Sequence, residues 1–159
     1  MLNISKKILL VEDSDEDFAT FIRIKEELQF PHRVYRACDG DEALDYFYHT
    51  GVYVNADPND TPRPSLIVLD LNLPGTDGRD VLKKLKQDPE FKTIPIVILT
   101  TSANTKDMEL CYSYGANSYL MKPMSVPQLK IVVHSLFRYW LEMSVATEHG
   151  SLHKTSISC

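Results

Sequence analysis

The sequence predicts an α/β fold, a doubly wound five-stranded parallel sheet with helices on both faces. Two observations carry that expectation. Short apolar runs alternate with helically spaced apolar residues five times along the chain. Three of the runs, at 7–11, 65–69 and 94–99, are apolar at successive positions, the pattern of strands covered on both sides. A length of 159 residues suits one domain. The 43% hydrophobic and 25% charged fractions are those of a globular chain.

The first strand is Lys7–Val11 (KILLV). A helix follows with Ser14 as N-cap and Phe18, Phe21, Ile22 and Leu28 at helical spacing; Asp15, Glu16 and Asp17 in its first turn complement the dipole. His32–Ala37 reads as the second strand and Asp39–Tyr48 as a second helix burying Ala43, Leu44 and Phe47. Thr50–Pro64, with Pro58, Pro62 and Pro64, exceeds the usual connection of about 4–6 residues and is expected as a surface excursion. Ser65–Leu69 (SLIVL) is the third strand. Val81, Leu82 and Leu85 mark a third helix that stops near Asp88-Pro89. Ile94–Leu99 is the fourth strand, and Met108, Cys111, Tyr112 and Gly115 share one face of a fourth helix. Ser118–Met121 is the fifth strand.

The last helix opens with Ser125 and Gln128, spaced as a capping box. Leu129, Val132, Val133, Leu136, Phe137, Trp140 and Leu141 then form one continuous stripe. If helical to about Met143, the segment is about 28 Å long, whereas a strand spans only about 17–20 Å. Phe137, Trp140, Leu141 and Met143 are therefore expected to overhang the sheet and to need another apolar surface. A homodimer through the 108–143 face supplies one; bending back over the same domain is the alternative. Residues 1–146 read as a single domain and 147–159 as a disordered polar tail.

Charge narrows the partners. Seventeen basic against 22 acidic residues leave a net charge of −5, which argues against nucleic-acid and anionic-membrane partners. No apolar stretch approaches the roughly 20 residues that span a bilayer. The run Ile8–Val11 is short for a signal peptide and meets acids at once, so a cytoplasmic location is expected. Cys38, Cys111 and Cys159 have no paired spacing and read as reduced thiols.

In an open parallel sheet, ligands bind beyond the carboxyl ends of the strands. The first strand runs into Glu12-Asp13 and the third into Asp70, with Asn72 two residues on. The fourth ends at Thr100 and the fifth at Lys122. Two carboxylates about 4 Å apart repel by about 4 kcal/mol at an effective dielectric of about 20. Three therefore need a cation or must protonate. Hard oxygen donors, with no His or Cys at the strand ends, favour magnesium. A carboxylate beside that ion can accept a phosphoryl group as an acyl phosphate, while the Lys122 ammonium and Thr100 hydroxyl contact the phosphoryl oxygens. Asp70 is already ionised and needs no general base.

Glu12-Asp13 after a first strand, Asp70-Leu-Asn-Leu-Pro-Gly-Thr-Asp-Gly78, Thr100 closing IVILT, and Lys122-Pro123 resemble the receiver domain of two-component response regulators. The resemblance covers residues 6 to about 140. It implies a flavodoxin-like sheet of order 2-1-3-4-5 and Asp70 as phosphoacceptor. It also implies a magnesium site made by Glu12, Asp13, Asp70 and the Asn72 carbonyl, with Lys122 and Thr100 on the phosphoryl group. Tyr119 matches the switch aromatic that turns inward when Thr100 moves, and the Lys122-Pro123 bond matches one that is cis in the family. Glu12 departs from the commoner Asp-Asp pair but keeps its charge. The chain after Lys122 is short for an appended DNA-binding domain, so a stand-alone receiver is expected. Its FRYWLEM ending and proline-bearing loop are similar to small regulators that partner phytochrome-type histidine kinases.

The function expected is a signalling phosphoacceptor, not a metabolic enzyme, charged by a sensor histidine kinase. An Asp-nucleophile phosphatase is the nearest rival, but it wants an acid where Asn72 stands. A flavin or nucleotide module would want a glycine-rich loop where Glu12-Asp13-Ser14-Asp15 stands. A pseudo-receiver without phosphorylation would not need the complete set of acid, hydroxyl and ammonium.

Overall fold

The computed structural model describes residues 4–146. The expected disordered tail at 147–159 lies outside them. Five parallel strands, β1 (Lys7–Val11), β2 (Arg33–Ala37), β3 (Leu66–Leu69), β4 (Ile96–Thr100) and β5 (Ser118–Met121), pair in the order β2-β1-β3-β4-β5. This is the doubly wound, flavodoxin-like arrangement expected. The fourth strand starts two residues later than the sequence pattern suggests because Pro95 has no N–H to give the ladder; its carbonyl accepts from the Ile67 N–H.

Alternation along the strands divides the core in two. Leu9, Val11, Ile67, Leu69, Ile96 and Ile98 face α2 (Gly40–Tyr48), α3 (Gly78–Gln87) and α4 (Thr105–Ser113). Ile8, Leu10, Leu66, Val68, Val97 and Leu99 face α1 (Asp15–Glu27) and α5 (Val126–Phe137). Each helix starts on a side-chain cap: Ser14, Asp39, Asp77, Asn104 and Ser125 accept from the first-turn amides. The 49–65 connection is packed more closely than a free excursion. It holds a short 3₁₀ turn at Gly51–Tyr53, Tyr46 Oη donates to the Pro62 carbonyl at 2.5 Å, and Tyr53 packs on the core.

The end of the chain corrects two expectations. The α-helix stops at Phe137 and continues as a π-helical segment, Arg138–Met143, closed by a Ser144 N–H to Tyr139 carbonyl bond of 2.7 Å. Widening the turn rotates the stripe. Phe137 and Leu141 become fully buried and Trp140 packs against the same cluster, so these three do not overhang. Met143 alone of the four stays exposed. Phe137 meets Phe21 and Phe30 edge-on, with buried His32 beside it. The segment bends back over its own domain because those rings at the base of α1 and β2 already offer the apolar surface it needs. The second correction is at Lys122-Pro123, which is trans like every described peptide bond. Trans is the lower form of an X–Pro bond by about 0.5–1 kcal/mol. The Lys122 N–H donates to the Thr100 carbonyl at 2.7 Å, and the ammonium reaches the acids.

Candidate functional site

The register places the site. Val11 pairs with Leu69 and Leu69 with Ile98, so the residues that follow, Glu12 and Asp70, leave neighbouring strands side by side. The Glu12 N–H donates to the Ala37 carbonyl (3.0 Å) and the Asp70 N–H to the Val11 carbonyl (3.2 Å), which carries the ladder one step into the acids. Thr100 pairs with Met121, and Lys122 follows directly.

Glu12, Asp13 and Asp70 offer carboxylate oxygens that all lie within 4.8 Å of one another. Glu12 and Asp70 are buried, and Asp13 faces solvent. Asp70 Oδ1 accepts from the Leu71 N–H at 2.7 Å and the Asn72 N–H at 3.4 Å, while Oδ2 accepts from Lys122 Nζ at 2.9 Å. Asn72 itself is exposed beside the acceptor. An all-oxygen set with one open side fits a divalent ion that keeps several waters.

The Lys122 ammonium also donates to Glu12 Oε2 (2.7 Å) and Asp17 Oδ2 (2.9 Å), so each of its three protons has a carboxylate. Burial alone would lower its pKa, but the hydrogen bonds to Asp70, Glu12 and Asp17 outweigh that and hold it above the ordinary lysine range. Burial pushes the Glu12 carboxyl up even though Lys122 opposes the shift. One shared cation thus leaves the acids short of positive charge.

Thr100 is fully buried, and its Oγ1 accepts from the Ser102 N–H at 3.3 Å. Tyr119 is buried too, its Oη donating to the Ser102 carbonyl at 2.9 Å and its N–H to Tyr112 Oη at 3.1 Å. Ser102 therefore touches both the hydroxyl and the aromatic singled out as a switch. Behind the acceptor, α3 starts on Gly78 for a steric reason. A Cβ there would lie 2.3 Å from the Asp70 carbonyl and 2.7 Å from Leu71 Cα.

Of the seven residues predicted from sequence, Glu12, Asp13, Asp70 and Lys122 meet directly, Asn72 and Thr100 stand at the same strand ends, and Tyr119 lies further back on β5, behind Ser102. Asp17 was missed, because first-turn acids read as dipole complements. No local spacing reveals it, because Asp13 precedes the Ser14 cap and Asp17 acts through Lys122, 105 residues away.

Comparisons with known proteins bear on the family and the fold. The profile of the response regulator receiver domain matches residues 8–134. The chain is 40% identical over 140 residues to response regulator Rcp1 of Synechocystis sp., covering 88% of this chain and 92% of that one. Among solved structures it is similar to the phosphorylated cyanobacterial phytochrome response regulator RcpA, with TM-score 0.81 and 39% identity over 90% of this chain and 99% of that one. It is also similar to the Mn(2+)-bound form of Rcp1, with TM-score 0.80 and 39% identity over 89% and 99% of the two chains.

Proposed function

The chain belongs to the response regulator receiver domain family, and on that premise we propose that Asp70 takes a phosphoryl group from a sensor histidine kinase and that the change alters partner binding. The observation that carries this reading is the acceptor carboxylate itself, buried at a strand end with its oxygens fixed by two amides and the Lys122 ammonium. In the reaction an Asp70 oxygen bonds to phosphorus as the bond from phosphorus to the donor histidine nitrogen breaks, and that nitrogen keeps the electron pair. Lys122 follows the new charge onto a phosphoryl oxygen, and Thr100 Oγ1 leaves the Ser102 N–H to donate to another. Glu12, Asp13, Asp70 and the Asn72 carbonyl would hold magnesium, which when bound neutralises charge developing on the transferred group.

A phytochrome-type kinase is the partner favoured by the similarity to Rcp1 and RcpA. We further read residues 1–146 as one receiver domain in the cytoplasm, catalysing only its own phosphoryl transfer and loss. No described helix is long and apolar enough to cross a membrane. Homodimerisation through the 108–143 face is supported by Leu110, Tyr112, Met121, Met124, Val126 and Ile131, all exposed on α4, β5 and α5 or their joining loop.

The test is incubation with acetyl phosphate and magnesium. An acid-stable, base-labile mass increase should appear, and should vanish in Asp70→Asn and on chelation. Labelling that persists in Asp70→Asn would place the acceptor elsewhere.

A further inference from the structure

Across the sheet from Lys122, on the outer strand β2, a second cation meets the loop that carries Glu12 and Asp13. Arg36 pairs with Leu10, one step before the Val11–Ala37 pair after which the two acids leave β1. Alternation turns it, with Val34, to the α1 face, and its guanidinium carbon lies 4.7 Å from the centre of the Phe18 ring. From there each nitrogen has an acceptor. Nε donates to the Glu12 carbonyl at 3.0 Å and Nη2 to the Asp13 carbonyl at 3.2 Å, while Nη1 meets Asp15 Oδ1 at 2.7 Å.

The other anchors of this loop are uneven. Glu12 has two more, its N–H on the Ala37 carbonyl and its Oε1 accepting from the Ser14 N–H, both at 3.0 Å. Asp13 is the exposed member of the carboxylate cluster, and among the described residues its one hydrogen bond is the Arg36 donation to its carbonyl. The Asp15 side chain is 93% exposed, so that arm contributes little. Arg36 is only 18% exposed, and its grip lies in the two carbonyl arms. A guanidinium suits them because its donors are fixed in one plane; a lysine ammonium on its flexible stem has no such fork.

We propose that Arg36 is a positioning residue for the divalent-ion site: by holding the Glu12 and Asp13 carbonyls it fixes where the two carboxylates leave β1, before any ion arrives. This rests on the reading of Glu12, Asp13 and Asp70 as ligands. Two effects of Arg36 on a bound cation have opposite sign. Ordering the loop in advance removes a cost of binding and so favours the ion. The guanidinium charge repels the ion and so disfavours it. That charge faces backbone carbonyls and Asp15, which offset it, so the ordering outweighs the repulsion.

The experiment compares the full chain with Arg36→Gln and Arg36→Lys, each well below its unfolding midpoint. Manganese(II), which takes the same oxygen ligands as magnesium, is titrated in while the free ion is counted by electron paramagnetic resonance. Amide hydrogen exchange at 12–17 is followed without metal, and Asp70→Asn marks the binding that belongs to the acid cluster. Arg36→Gln should weaken manganese binding by about ten-fold, the lower end for losing a group that orients a ligand. Arg36→Lys, which keeps the charge without the planar fork, should weaken it by less. Exchange at 12–17 should quicken in Arg36→Gln. A guanidinium that only braces β2 against α1 lowers the unfolding midpoint and leaves manganese affinity unchanged. One that acts only as a charge gives tighter binding in Arg36→Gln and wild-type binding in Arg36→Lys. Either result overturns the positioning role. If Asp70→Asn binds manganese as well as the wild-type chain does, the ligand reading has failed separately. Exchange at 12–17 then decides whether Arg36 holds the loop: quickened in Arg36→Gln it upholds that hold, unchanged it overturns it.

Discussion

Lys122 shows how much one side chain can hold. Among the described residues it is the only cation bonded to the Glu12 and Asp70 carboxylates, and both acids are buried. Removing one partner of a buried ion pair leaves uncompensated charge, so Lys122→Ala should lower stability at pH 7 by about 3 kcal/mol, read from urea unfolding. The loss should shrink toward acid, since carboxyls raised by the missing lysine bind protons in the folded state. Lys86 predicts a trend of opposite cause. Burial lowers its pKa to about 8, and Nζ donates to the Lys92 and Ile94 carbonyls at 3.1 and 2.8 Å. Between pH 8 and its ordinary 10.5 the unfolded chain carries more protons at this site than the folded one, so stability should rise with pH across that window. In Lys86→Met the rise should disappear. At this scale the sequence told much about identity and little about partnership. A carboxylate following KILLV or SLIVL can be placed from pattern alone, because the strand fixes where it emerges. The pairing of Asp17 with Lys122 and of Arg79 with Asp107 joins residues far apart in the chain, and no local period encodes it.

Among the elements, the π-helical segment departs most from pattern. The stripe from Leu129 to Leu141 is continuous at helical spacing, and nothing in it marks the place where the turn widens. The cause is tertiary, the ring cluster of Phe21, Phe30, His32 and Phe137. Phe137→Ala should cost about 3–5 kcal/mol, the range for truncating a fully buried aromatic. His32 adds an acid limit. It is almost fully buried, Nδ1 accepts the Lys6 N–H at 3.1 Å, and Nε2 carries no hydrogen bond. Burial lowers its pKa; Glu142 opposes this, and Lys6 and Lys25 reinforce it. The folded state therefore binds fewer protons than the unfolded one, and stability should fall as pH drops below 6.5. His32→Gln should flatten that fall in denaturant titrations. By contrast, the strands were readable in advance, since runs apolar on both faces have few other ways to be covered, while their order came only with the family resemblance.

Taken whole, the molecule separates its chemistry from its exposed apolar surface. The acids, Thr100 and Lys122 occupy one sheet edge, while Met121, Met124, Val126 and Ile131 stand in solvent alongside. If a second copy covers that face, light scattering should give a dimer mass, and Ile131→Glu with Met124→Glu should return it to a monomer without changing Asp70 labelling. The extent of this face was overestimated from sequence because Phe137, Trp140 and Leu141 were counted in it; only packing shows them turned inward. Lys122, sitting among Glu12, Asp17 and Asp70, has a consequence for the life of the chain. The polypeptide brings its own counter-charge to the place where its acids crowd. It can leave the ribosome, fold and wait in an ion-poor setting, and a chelator should silence it without melting it.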